Sequence, residues 1–256
     1  MKKLLSLSIA ITFGLFSACN NTTSNEPAKK VHYTYEGEDG PSHWGDLSPE
    51  WKLCKDGKAQ TPIDIDTNST TKTSLNPLTF NYSEVPLKII NNGHTVQVNF
   101  PAGNSVKVND KEYSLLQYHV HVPSEHKING KSSDMELHLV HKASDGELLV
   151  VGVMINKGSK NDNLNSFFDN LPEKEGPEVS KDTVKFNPLN ILPKDTKYFN
   201  YSGSLTTPAC SEGVNWHLLQ SSIEASEEQL NKFSKIYKLN SRPIQPLNGR
   251  VVKQGN

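Results

Sequence analysis

Two stretches hold residues whose types and spacing could do chemistry: Gln117-Tyr118-His119-Val120-His121 and, downstream, Glu136-Leu137-His138-Leu139-Val140. Each reads as a β-strand, short, rich in β-branched and aromatic residues, and bounded by polar, Gly- or Pro-containing loops. Successive side chains of a strand point to opposite faces, so Gln117, His119 and His121 share one face. Glu136, His138 and Val140 share a face of the second strand by the same parity. Paired, the two strands would bring three imidazoles to one point. Three neutral imidazoles without a carboxylate or thiolate suit zinc and leave its fourth tetrahedral position open for water. Gln117 and Glu136 lie on the ligand faces, where they could accept N–H bonds from the rings and fix their tautomers. A lone strand histidine is ordinarily a hydrogen-bonded or solvent-facing residue; the pair, the third histidine and their polar companions together carry the metal reading.

The elements that must position these residues are mostly strands. Val31 to Trp51 shows no period and reads as an ordered coil wrapped on the domain, with Tyr33, Tyr35, Trp44 and Trp51 as packing residues. Thr61 to Ile65 alternates as a short strand, and Thr67 to Thr73 reads as a polar loop. Strands are expected at Leu78 to Tyr82, Leu87 to Asn91, His94 to Phe100 after an Asn92-Gly93 turn, and Ser105 to Val108. The ligand strands are placed at Tyr113 to Val122 and Asp134 to His141. Leu148 to Ile155 is a continuous apolar run, as a central buried strand requires. Tyr198 to Tyr201 and Val214 to Leu219 are extended. Helices are few: a short one over Asn161 to Asn170, and one over Ser226 to Tyr237 with Ser226 as N-cap and a Leu230, Phe233, Tyr237 stripe. The fold class is mainly β, a single domain on a large, mostly antiparallel sheet with short helices at its periphery.

Length and composition agree. At 256 residues the chain suffices for one large domain, and a net charge of -1 offers no case for nucleic acid or a polybasic membrane patch. Lys2 and Lys3 followed by the apolar Leu4 to Phe16 form an export signal, too short for a spanning helix of about 20 residues. Ser17 and Ala18 before Cys19 resemble a lipobox, so residues 1–19 read as a signal ending at a lipidated Cys19, against a plain secretory signal with an incidental cysteine. Residues 20–30 read as a polar tether and 31–256 as the folded domain. The two remaining cysteines, Cys54 and Cys210, are an even number in an exported chain. They could bridge, closing a loop worth roughly 5 kcal/mol in the chain-entropy model, or stay as buried thiols.

The order of motifs resembles an α-class carbonic anhydrase of the secreted bacterial kind. Tyr-x-Gly-x-x-Gly-Pro-x-His-Trp spans Tyr35 to Trp44, Gln-Thr-Pro-Ile-Asp-Ile spans Gln60 to Ile65, and Asn-Asn-Gly-His spans Asn91 to His94. The block Gln-Tyr-His-Val-His-Val-Pro-Ser-Glu-His follows at Gln117 to His126, then Glu-Leu-His-Leu-Val-His at Glu136 to His141. Gly-Ser-Leu-Thr-Thr-Pro at Gly203 to Pro208, Trp216, and Arg-Pro-Ile-Gln-Pro-Leu at Arg242 to Leu247 complete the order. The similarity runs from about Tyr35 to Arg250.

That resemblance implies a twisted central sheet with zinc at the floor of a conical cleft. It implies reversible hydration of carbon dioxide to bicarbonate and a proton, through a zinc-bound hydroxide. His119, His121 and His138 match the family's zinc ligands, with Gln117 and Glu136 behind them. Thr206 and Glu125 match its gatekeeper pair, Thr207 the residue beside it, and His94 its proton shuttle. Val140, Val150, Leu205, Val214 and Trp216 match the apolar wall against which carbon dioxide rests. Cys54 and Cys210 match the bacterial disulfide. His126 is expected to support the core hydrogen-bond network, and His32, His43, His141 and His217 to be structural or surface residues. Implied partners are carbon dioxide and bicarbonate, a membrane only through lipidated Cys19, and at most a second copy of the chain, as monomer or homodimer; the location is a bacterial periplasm or its membrane. Tyr33 departs from the family's usual Trp, Val120 from Phe, and His217 from an apolar residue. A carbonic anhydrase-like binding module would typically have lost a ligand histidine, and a cupin-like His₃ protein would usually add a carboxylate and leave the Ser-Leu-Thr-Thr-Pro block unexplained.

Overall fold

The structure, a computed structural model, describes residues 31–255. The expected export signal, lipidation site Cys19 and tether lie outside the described residues. The core is a 13-stranded mixed sheet. Across it, in order, run Val179–Phe186, Val85–Asn91, Val96–Asn99, Lys111–His121, Met135–Ala143, Leu148–Lys157, Glu212–Leu219, Tyr198–Ser204, Lys253–Gly255 and Thr71–Thr73. Most ladders are antiparallel, but Leu148–Lys157 pairs in parallel with both Glu212–Leu219 and Ile223–Ala225. Asp64–Ile65 and Lys127–Ile128 form a separate two-stranded parallel pair.

The central strands are covered on both faces, which explains their continuous apolar sequence. Leu149, Val151, Val153 and Ile155 enter the main core with Met135, Leu137 and Leu139, while Val150 and Met154 join a second apolar cluster on the opposite face. Parity in Lys111–His121 has an interruption. Leu115 pairs with His141 and Gln117 with Val140, so Leu116 is the extra residue of a bulge and is 42% exposed. Tyr113 and Leu115 face the main core before the bulge, and Tyr118 and Val120 face it afterwards. The bulge therefore turns Gln117, His119 and His121 to the other face.

Several boundaries differ from expectation. Thr71–Thr73, expected as loop, is an edge strand beside Lys253–Gly255. Its polar residues carry no alternation because the strand is largely exposed. Pro86 lies inside Val85–Asn91, tolerated where the register with Val179–Phe186 shifts. Residues 31–51 contain short helical turns at Trp44–Leu47 and Pro49–Trp51. The last helix, Glu227–Ser234, starts as its sequence indicates: Ser226 and Gln229 form a reciprocal capping box.

Candidate metal centre

His119 and His138 stand directly opposite in the ladder, His121 opposite Glu136, and Gln117 opposite Val140. This register gathers one ring nitrogen from each of His119, His121 and His138 within 4.8 Å of one another. The other nitrogen of every ring is committed. Nδ1–H of His119 donates to Oε1 of Gln117 (2.8 Å), Nδ1–H of His121 to the carbonyl oxygen of Asn240 (2.7 Å), and Nε2–H of His138 to Oε1 of Glu136 (2.8 Å). All three partners are acceptors, so the tautomers are fixed and Nε2, Nε2 and Nδ1 respectively keep their lone pairs. Nε2 of His121 is buried without any hydrogen-bond partner. Burial lowers the pKa of all three imidazoles, His121 to about 4, so they are neutral as ligation requires. Three converging neutral nitrogens with no thiolate or carboxylate among them fit zinc.

Glu136 is the hub behind the ligands. Besides His138 it accepts Nδ1–H of His126 (2.7 Å) on Oε1 and the His126 amide (2.8 Å) on Oε2, and Nε2 of His126 in turn accepts the Tyr201 hydroxyl (2.6 Å). His126 thus supports the network, as expected, although it also lies in a second grouping with Glu136 and His138. Room for the Glu136 carboxylate comes from Gly152, opposite His138: a Cβ there would meet Glu136 Oε1 at 3.2 Å and Leu218 at 2.7 Å.

Glu125 is fully buried, and burial raises its pKa to about 7. Its Oε1 accepts the Arg242 amide (2.8 Å), its Oε2 is buried without a hydrogen-bond partner, and the neighbouring Thr206 side chain acts to lower its pKa. The Thr206–Cys210 loop is anchored from below. The Cys210 amide donates to the Thr207 carbonyl (2.8 Å), Cys210 is bridged to Cys54 (S–S 2.07 Å), and Arg242 donates to the Cys54 carbonyl (2.9 Å). Val140, Val150, Val214 and Trp216 share one buried apolar cluster with Leu205 packed against it, and the Trp216 ring lies 4.9 Å from that of His138.

His94 sits in the turn before Val96–Asn99 and not in the strand. Gly93 has φ +88, a left-handed conformation that glycine adopts freely, and Asn92 Oδ1 accepts the amides of His94 and Thr95 at 3.0 Å. A cleft of about 100 Å³ is lined by Tyr33, His94, Gln97, His119, His121 and Thr207, among others. His141 and His217 are buried structural residues, and His32 and His43 are exposed. Sequence reasoning missed Asn240. Besides orienting His121, its Oδ1 accepts the Val122 amide (2.7 Å) and its Nδ2 donates to the carbonyls of Val120 (2.9 Å) and His94 (3.2 Å). Asn240 precedes the Arg242 motif by two residues, yet nothing local ties it to strands about 120 residues upstream.

A mixed sheet that gathers three tautomer-fixed imidazoles, two of them lining a cleft, defines a protein with a tris-histidine metal centre. Comparison with known proteins narrows this. A family model described as eukaryotic-type carbonic anhydrase matches residues 39–256. A carbonic anhydrase of Nostoc sp. is 43% identical over 98% of this chain and 94% of its own length, and one of Klebsiella pneumoniae is 43% identical over 86% and 90%. The α-carbonic anhydrase of Thermovibrio ammonificans, solved with the inhibitor sulfanilamide, superposes with a TM-score of 0.85 at 42% identity, covering 88% of this chain and 100% of that one. The chain belongs to the eukaryotic-type carbonic anhydrase family and is a carbonic anhydrase enzyme.

Proposed function

We propose that the chain catalyses reversible hydration of carbon dioxide at a zinc ion held by Nε2 of His119, Nε2 of His121 and Nδ1 of His138, with His94 as its proton carrier. The observation that carries this reading is the commitment of every other ring nitrogen to an acceptor, which leaves three lone pairs converging. Zinc in such a site acts as a Lewis acid that makes water ionise near neutrality, a property known for carbonic anhydrases in general. By donating its hydroxyl proton to the ionised Glu125 carboxylate, Thr206 would be left to accept from the cleft side and so orient a donor there. Val140, Val150, Leu205, Val214 and Trp216 offer carbon dioxide an apolar resting place, while the charged product is favoured outside it. Thr207 lines the cleft. His94, on the same cleft, takes the proton released by hydration and passes it to solvent buffer. Stopped-flow carbon dioxide hydration tests the reading: activity in the purified enzyme, abolished by His119→Ala, supports it, and an inactive wild type overturns it.

We infer also that the chain is exported and held at a bacterial membrane through lipidated Cys19. The Cys54–Cys210 disulfide suits an oxidising compartment. Labelling with a fatty-acid analogue in cells, lost in Cys19→Ser, supports the anchor; labelling unchanged by that substitution, or absent from the wild type, refutes it.

A further inference from the structure

Gln60 is a buried amide whose two ends bond to the two segments that hold Thr206 and Glu125. Its Oε1 accepts Nη1–H of Arg242 (2.8 Å), and its Nε2 donates to Oε1 of Glu212 (2.9 Å) and to the carbonyl oxygen of Cys210 (3.1 Å). A guanidinium only donates and an ionised carboxylate only accepts, so the charges at the two ends leave the amide one orientation. Gly57 packs on the same joint: a Cβ there would stand 2.3 Å from Gln60 Nε2 and 2.5 Å from Glu212 Oε1, so glycine is needed for that approach. On one side of Gln60, the Thr206 loop is closed by the Leu205 amide on the Ser211 carbonyl (3.0 Å) and by the Cys210 amide on the Thr207 carbonyl (2.8 Å). On the other side, Arg242 gives its own backbone amide to Oε1 of Glu125 (2.8 Å). That leaves Oε2 of Glu125, buried and without a partner, as the oxygen that Thr206 would reach.

We propose that Gln60 is a positioning residue for the carbon dioxide step: its amide spans Cys210 and Arg242 and thereby sets the distance between the Thr206 hydroxyl and Glu125 Oε2. This rests on the reading of Thr206 as the residue that orients a donor in the cleft. The two partners come from separate loops, one at the end of Tyr198–Ser204 and one after Lys111–His121, and their hydroxyl–carboxylate contact weakens once its length or angle departs from a narrow range. Misplacing a reacting group by about 1 Å can cost on the order of 100-fold in rate. A rigid amide with both ends taken by fixed partners holds such a separation better than apolar packing would. Gln60 bonds to none of the acceptors behind the three ligand imidazoles, so zinc binding does not depend on it.

A double-mutant cycle tests whether Gln60 acts through Thr206. Stopped-flow kcat/KM for carbon dioxide hydration is measured for wild type, Gln60→Met, Thr206→Ala and the double variant, with bound zinc determined on each sample. Gln60→Met keeps the volume and removes both ends of the joint, and is expected to lower kcat/KM by on the order of tenfold with zinc content unchanged. In the Thr206→Ala background the same substitution should cost less than about twofold, because the hydroxyl it positions is already gone. Gln60→Asn, one methylene too short to span both partners, repeats the cycle if the methionine variant does not fold. Equal fold-losses in both backgrounds, a loss that tracks missing zinc, or wild-type kcat/KM in the Gln60 variants would show a merely structural residue and overturn the inference. Wild-type kcat/KM in Thr206→Ala, or an inactive wild-type enzyme, is a different failure: it removes the underlying reading, and the positioning role falls with it.

Discussion

His119 and His138 face one another residue to residue on adjacent strands, their rings perpendicular and 5.3 Å apart. Ligand spacing is thereby set by the sheet, and ligand direction by the acceptor behind each ring. Glu136 serves two rings at once, so its substitution separates spacing from direction. Glu136→Gln cannot serve all three donors: with its oxygen on the Oε1 side it keeps both ring N–H bonds but sets its NH2 against the His126 amide, and flipped it sets NH2 against both rings. Zinc affinity, read by competition with a chelator, is expected to weaken by about 10- to 100-fold. Unchanged affinity would mean that this hydrogen bond does not orient His138.

Asn240 ties backbone groups of Val120, Val122 and His94 together while its own carbonyl holds His121. Asn240→Ala strips the side-chain bonds and takes the acceptor from the half-buried Val122 amide, for a loss of about 1–3 kcal/mol in urea unfolding. The carbonyl remains, so zinc stoichiometry should survive. Unaltered stability would place these bonds among the dispensable ones.

The disulfide closes a separation of 156 residues beneath the Thr206 loop. Replacing both cysteines by serine is expected to cost about 4–5 kcal/mol of stability by the chain-entropy account. Activity should fall as well, because Cys210 carries the bond to Thr207. A double variant as stable as wild type would contradict this.

How much of this was legible in the sequence depended on range. The shared face of His119 and His121 could be read because the bulge falls at Leu116, before both; a bulge between them would have put them on opposite faces. The Ser226 cap was legible because its partner Gln229 is three residues away. Asn240 and Arg242 act on partners more than 100 residues distant, and no local pattern announces that. The edge strand Thr71–Thr73 has no buried face to impose alternation. His94 was expected in a strand, and the Asn92 side chain instead holds it in a turn.

Two buried histidines outside the metal centre contribute to the acid response. Burial lowers His217 to about 4 and His141 to about 3, against 6.5 in an unfolded chain. Above about pH 6.5 both states are neutral there and stability is complete. Below it the unfolded chain binds protons that the folded chain refuses, so stability falls as pH drops towards the folded values, by about 3 kcal/mol for His217 alone. Urea midpoints at pH 7.5 and 4.5 should therefore differ less in His217→Phe than in wild type. An identical pH slope in the variant would remove His217 from the account.

The most direct test of the central claim is the metal itself, by elemental analysis and zinc-edge X-ray absorption on the purified enzyme. The account predicts one zinc per chain with three imidazole nitrogens and a light oxygen ligand, lost or remodelled in His119→Ala. Purified enzyme that binds no zinc, or zinc held through sulfur or carboxylate ligands, would contradict it.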